Sequence, residues 1–200
     1  MGKNGFEIKR KIFHINVGII GLLLLTYNII TPLYIFIILI FVIFLGFLSL
    51  KIKNPLFLFV LDNFERESYK QKFPGRALIF GIAGSLLVLE LFSKDIALAS
   101  ITILIFADPI SHLVGKYFGK TKSPLNKEKN IEGHISAALI SSLLAVFFVP
   151  FYLAFLGALT AMLFELLTIK IQDINIDDNL LIPLTAGTAM FLIVKFFLFW

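Results

Sequence analysis

The chain has 200 residues, of which 58% are hydrophobic, a net charge of +5 and a mean hydropathy of +0.94. A soluble domain of this length would be far more polar, so the composition indicates an integral membrane protein. The absence of cysteine excludes disulfides and thiolate chemistry, and a positive charge carried in short loops indicates membrane orientation, not nucleic-acid binding.

Seven apolar runs are interpreted as transmembrane helices, several of them shorter than the roughly 20 residues of a full span. They cover residues 12–30, 31–50, 77–93, 95–115, 134–149, 150–168 and 180–199. The predicted fold class is all-α: a polytopic membrane bundle of about seven helices that forms one domain over residues 1–200. The segment 55–66 is too short to span and predicts a helix at the interface.

Lysine and arginine concentrate on one side of the predicted membrane. The N-terminal segment and alternate loops hold 16 of the 18, chiefly in the loops 51–76 and 116–133. The positive-inside rule places these loops and the N-terminus in the cytoplasm. We therefore expect a multi-pass protein of the cell membrane.

Small residues are concentrated at helical spacing in the last three predicted helices, whereas the second is built from Ile, Phe and Leu. Small residues allow helices to approach closely in lipid. The pattern predicts that helices four to seven form the packed centre and that helix two faces lipid.

Polar side chains at the predicted helix ends collect on the cytoplasmic side, where carboxylates beside apolar sequence suggest function. They are Glu7, Arg10, Lys11, His14, Arg76, Asp108, Ser111, His112, Glu132, His134, Glu165, Asp177, Asp178 and Asn179. This distribution predicts a functional site at the cytoplasmic face.

Asp108 shares one face of the fourth predicted helix with Ser111, Gly115 and Gly119, within an arc of about 100°. The glycines leave room either for a ligand or for a closely packed helix. The sequence GKYFGKT (115–121) is not a phosphate-binding P-loop, because only three residues separate its glycines where the motif needs four.

The loop after Asp108 carries five lysines: Lys116, Lys120, Lys122, Lys127 and Lys129. They could simply set orientation, or they could face Asp108 and hold a metal-bound polyphosphate. Glu132-Gly133, at the start of the next helix, is not explained by orientation alone. Asp177-Asp178-Asn179 could likewise cap a helix or bind a metal ion.

Four ordered blocks resemble the CTP-dependent lipid kinases, a family that includes dolichol kinase, phytol kinase and CTP-dependent diacylglycerol kinase. Glu7–His14 resembles the opening E-x-x-R-K-x-x-H block. Asp108–Lys120 resembles D-x-x-A/S-x-x-x-G-x-x-x-G-K, and Lys129–Gly133 resembles K-S-x-E-G with asparagine in place of the serine. Glu165 followed by Asp177–Pro183 resembles the closing E…D-D-N-x-x-x-P block.

The resemblance implies transfer of the γ-phosphoryl group of CTP to a membrane lipid alcohol, with Mg²⁺ as cofactor. It implies metal ligation by Asp108 and Asp178, with Asp177, and acceptance of the hydroxyl proton by Glu132 or Glu165. Glu7 and His14 complete the opening block. The implied nucleotide and phosphate contacts are Arg10, Lys11, Ser111, Gly115, Lys116, Gly119, Lys120, Lys129, Gly133 and Asn179.

Two other functions are weighed against a kinase. A CDP-lipid synthase would attack the α-phosphate of CTP. That superfamily is distantly similar to this chain around the D…G…K-x-x-E-G block, which ends here in Glu132-Gly133. A small transporter would need polar groups near the bilayer midplane and an internal repeat, and the polar residues here cluster at one face. The sequence leaves open which alcohol is the acceptor (a polyprenol, a C20 alcohol or a diradylglycerol), what oligomer forms, and, apart from the resemblance, which nucleotide is used.

Overall fold

The computed structural model describes residues 3–51, 59, 62–65, 67–70, 72–167, 170–171 and 174–197. The predicted interface helix at 55–66 therefore lies mostly outside the described residues. The elements are α1 (Lys3–Thr26), α2 (Pro32–Ser49), α3 (Glu67–Lys70), α4 (Arg76–Leu91), α5 (Lys94–Tyr117), α6 (Ile131–Ala145), α7 (Phe151–Leu166), β1 (Lys170–Ile171), β2 (Ile174–Asn175) and α8 (Asp178–Phe197).

Helix boundaries follow local chemistry. After α1, Asn28 adopts a left-handed conformation (φ 56°), which asparagine tolerates better than most residues, and Pro32 then opens α2. Gly75 is also left-handed (φ 78°) immediately before α4. The first helix begins at residue 3 and not at the predicted 12, because its polar first turns continue the helix beyond the apolar run.

The predicted all-α class is confirmed, apart from a short hairpin in which β1 and β2 pair antiparallel. Among the described residues, α2, α5 and α8 are long and apolar enough to cross a membrane, while α6 and α7 are shorter apolar helices. At 1.5 Å per residue, α6 and α7 reach about 22–24 Å, less than a hydrocarbon core of about 30 Å.

Helix α5 is the centre of the bundle. It packs against α1, α4, α6, α7 and α8, and residues 96–105 are buried in succession. Alanines on α6, α7 and α8 are buried against it, which explains why the small-residue pattern correctly predicted the packed centre. Helix α2 packs against α4 and is mostly exposed, as expected of a lipid-facing helix.

Candidate active site

The first cluster of polar groups joins α1 to α5. The Lys11 ammonium lies 2.6 Å from Asp108 Oδ2, and the lysine is only 4% exposed. The adjacent Arg10 donates to Oε2 of Glu7, one turn earlier on α1, at 2.9 Å. A buried lysine needs a compensating charge, so the ion pair fixes the carboxylate of Asp108 against α1.

The second cluster joins the lysine loop to α7 and α8. The Lys129 ammonium donates to Glu165 Oε1 at 2.9 Å and to the Glu165 carbonyl at 2.8 Å, and it lies 3.5 Å from Asp178 Oδ2. Burial alone would lower the pKa of Lys129, but attraction to Glu165 and Asp178 outweighs burial and raises its pKa above the ordinary value. Lys129 is therefore a fixed positive charge.

The two clusters are neighbours. Asp108 is close enough for its charge to act on both Glu165 and Asp178. Carboxylates from α5, α7 and α8 thus converge. Lys11 pairs with the carboxylate on α5, and Lys129 contacts those on α7 and α8. This arrangement concentrates both signs of charge at one end of the bundle, as phosphate chemistry requires.

The lysine loop presents one lysine inward and four outward. Lys129 is the inward one, whereas Lys116, Lys120, Lys122 and Lys127 are exposed. Asp108 is paired with Lys11 of α1 and not with a loop lysine, so the expectation that the whole loop faces Asp108 is wrong. The hydropathy pattern placed these lysines outside the apolar helices but could not predict which way each side chain points.

The glycine face of α5 is filled by protein. Asn130 donates to the Gly115 carbonyl, and a Cβ added at Gly119 would collide with that carbonyl and with Asn130. A Cβ at Gly133 would collide with the Ser111 carbonyl. Of the two alternatives for this face, the geometry therefore favours close helix packing over room for a ligand.

Glu132 and Ser111 make local bonds. Glu132 Oε1 accepts a hydrogen bond from the Thr121 N–H at 2.8 Å, which ties the lysine loop to the start of α6. Ser111 Oγ donates to the Asp108 carbonyl within α5. No motif in the sequence pointed to this contact between Thr121 and Glu132.

Asp177 caps α8. Its Oδ1 accepts from the Asn179 N–H at 3.1 Å and from the Asn179 side chain at 2.8 Å. Its Oδ2 accepts from Arg76 at 2.9 Å, so both oxygens are engaged. Arg76 was counted among the polar groups at this end of the bundle but was given no role in the predicted site, although an arginine at the start of an apolar helix was a signal for such a pair.

An elongated apolar pocket ends at the Lys11–Asp108 pair. Its volume is about 460 Å³, and α1, α2, α4 and α5 line it. Lys11, His14, Asp108 and Asn179 lie at its polar end. Arg10, Glu65 and Ser85 also line the pocket, and the other lining residues are apolar.

The known proteins to which this chain is similar are named as lipid kinases. No protein-family model and no solved structure matches the chain. It is 26% identical to CTP-dependent diacylglycerol kinase 1 of Saccharomyces cerevisiae over 96% of this chain and 74% of the relative. The same-named protein of Eremothecium gossypii is 25% identical over 95% of this chain and 68% of its own length. Farnesol kinase, chloroplastic, of Arabidopsis thaliana is 34% identical over 50% of this chain and 36% of its own length.

This chain is a homologue of the CTP-dependent lipid kinases. The resemblance predicted from the four sequence blocks is thereby confirmed. The similarity to the Saccharomyces relative extends over nearly the whole chain.

The acidic residues beside Lys129 fit the magnesium ion that the resemblance implies. Mg²⁺ usually takes one or two protein carboxylates together with phosphate oxygens and waters. Glu165 and Asp178 supply such a pair, and Glu165 Oε2 is buried with no hydrogen-bond partner among the described residues. In the described part of the chain, no group of three or more acidic or histidine side chains forms a complete metal site. The pair therefore suits an ion that arrives with a nucleotide.

Proposed function

We propose that the chain transfers the γ-phosphoryl group of CTP to the hydroxyl of a membrane lipid alcohol. The observation that carries this proposal is the position of the Lys11–Asp108 pair, which lines an apolar pocket and lies near the Lys129 cluster. The homologues, which are named diacylglycerol kinase and farnesol kinase, support CTP as donor and a lipid alcohol as acceptor, and they favour a kinase over a CDP-lipid synthase or a transporter.

In the proposed reaction, the lipid hydroxyl oxygen attacks the γ-phosphorus of CTP. The bond from that phosphorus to the β–γ bridging oxygen breaks, and CDP leaves. Asp108 accepts the hydroxyl proton, because it is a carboxylate at the polar end of the pocket. This assignment replaces Glu132 and Glu165, neither of which lines the pocket.

Positive side chains would neutralise the charge of the phosphates, which is the main demand of phosphoryl transfer. Lys129 is fixed beside Glu165 and Asp178, while the exposed Lys116 and Lys120 can attract the nucleotide from water. Asp178 and Glu165 would hold Mg²⁺, which would add charge neutralisation when bound with the nucleotide. Asp108 is assigned to the proton and not to the metal, because it lines the pocket that would hold the hydroxyl, whereas Glu165 and Asp178 lie together at Lys129.

The reaction is tested with CTP labelled at one phosphate at a time. Purified chain in lipid vesicles that contain an alcohol is incubated with γ-labelled or α-labelled CTP. A kinase moves only the γ-label into the lipid. Transfer of the α-label into the lipid when phosphatidic acid is supplied would establish a CDP-lipid synthase instead.

We further propose that α1, α2 and α4–α8 span the cell membrane, with the site on the cytoplasmic side. Because the chain has no cysteine, single cysteines report sidedness without background. Lys122 and Tyr27 are both exposed, and they lie at the two ends of the bundle. We expect K122C in intact cells to react with a membrane-impermeant thiol reagent only after permeabilisation, and Y27C to react without it. The reverse pattern would show that the orientation is the opposite of the proposed one. Equal reaction of both cysteines in intact cells would contradict the proposal that they lie on opposite sides of the membrane.

A further inference from the structure

The pocket that ends at Asp108 has the shape of a channel. It is lined on α1 from Arg10 to Leu25, a distance of about 22 Å along the helix axis. Its volume of about 460 Å³ lies within the usual range of small-molecule pockets, about 300–1,000 Å³. Its length suits an extended hydrocarbon tail.

The polarity of the channel changes along its length. At the polar end, His14 Nε2 and Asn179 Oδ1 are buried with no hydrogen-bond partner among the described residues. An unpaired buried polar atom is costly, and a hydroxyl carries both a donor and acceptor lone pairs that can satisfy it. Beyond His14, α1 lines the channel with Val17, Gly18 and Gly21 and then with leucines.

Gly21 differs from Gly18 in the space around it. A Cβ at Gly18 would meet the side chain of Ile105 at 2.5 Å, whereas a Cβ at Gly21 would meet no described atom within 4 Å. Gly21 lies seven residues beyond His14, or about 10.5 Å deeper along α1. A larger side chain at position 21 would therefore enter the channel without displacing the described protein.

We propose that this channel holds a tail of the lipid alcohol, with the hydroxyl at His14, Asp108 and Asn179, and that Gly21 limits the tail length accepted. The inference rests on the proposed function for the identity of the hydroxyl-bearing ligand. The lining residues Val17 and Ile20 of α1 and Ile38 of α2 are themselves exposed, so the channel opens to the surface there and a tail can enter sideways from the bilayer.

The first test measures turnover with CTP for a series of single-chain alcohols of increasing length. We expect G21F to lower turnover at least about 10-fold for tails longer than the distance from His14 to residue 21, because even one misplaced methylene costs that much in a fitted pocket. Short alcohols should keep wild-type turnover. The matched control is L23F, because Leu23 is exposed on the same helix and does not line the channel, and this variant should match the wild type at every length. G21L serves as a smaller block, and thermal unfolding confirms that each variant is folded. Equal turnover of G21F and wild type at every length would overturn the proposal, as would an equal loss of turnover in G21F and L23F.

The second test needs no catalysis. A single-chain alcohol that carries a diazirine at its tail end is cross-linked to the protein without CTP, and the labelled peptides are sequenced. We expect labels on the channel faces of α1, α2 and α4 in the wild type and their loss in G21F. Labelling there without any CTP turnover would uphold the channel while contradicting the kinase. Turnover with labels only outside the channel would overturn the channel while upholding the kinase.

Discussion

Replacing Asp108 by asparagine is expected to lower turnover by about 10²–10⁴-fold, the usual contribution of a positioned proton acceptor. The amide keeps the size of the side chain and can still accept from Lys11, but it cannot take the hydroxyl proton. Turnover is measured with labelled CTP at saturating alcohol, so that weaker lipid binding does not mimic the loss. The matched control is D95N, since Asp95 is exposed at the opposite end of the same helix.

The folded state of the Asp108 variant needs its own control. Lys11 is buried, and removal of its charged partner leaves an uncompensated ammonium. The double variant K11M/D108N removes both charges and is expected to be folded but inactive. Wild-type turnover in either folded variant would exclude Asp108 from the chemistry.

Replacing Lys129 by methionine is expected to affect both stability and turnover. Lys129 compensates Glu165, which is almost completely buried, and lies near Asp178. Breaking a buried pair on one side destabilises proteins by about 3–5 kcal/mol, so K129M should lower the unfolding temperature in detergent. Loss of the fixed charge should also lower turnover at least about 100-fold, the scale of one electrostatic contact in a reaction.

A second substitution separates these two effects. In K129M/E165Q the buried carboxylate is neutral, so most of the lost stability should return while turnover stays low. K122M, which removes an exposed lysine from the same loop, is the control and should match the wild type in both measurements. If K129M/E165Q regained turnover together with stability, neither Lys129 nor Glu165 would have the role in the reaction that is assigned to it.

The sequence predicted the helices and the end of the bundle at which the polar groups collect. This succeeded because an apolar run fixes the depth of the residues at its ends. Depth does not fix rotation about a helix axis or the choice of neighbour. The pairs Lys11–Asp108 and Arg76–Asp177, which join residues 97 and 101 positions apart, could not be derived in that way.

The roles of the glycines show the same limit. Gly115 and Gly119 stood at a spacing that suited either a ligand or a helix, and the side chain of Asn130 decides in favour of packing. Gly21 had no motif around it, because an empty space opposite a glycine depends on four helices at once. Glu165 stands alone in an apolar helix, and it was predicted to be functional through the family resemblance and not through any local pattern.

The central claim is that the oxygen of a lipid alcohol attacks the γ-phosphorus of CTP beside Asp108. The most direct measurement uses an alcohol whose hydroxyl oxygen is ¹⁸O. This alcohol is incubated with CTP, Mg²⁺ and the purified chain in vesicles, and the mass of the lipid product is measured by mass spectrometry. The account predicts a lipid monophosphate that retains the heavy oxygen, formed together with one equivalent of CDP. A lipid monophosphate without the heavy oxygen, a product that carries cytidine, or no phosphorylated lipid with any alcohol tested would contradict it.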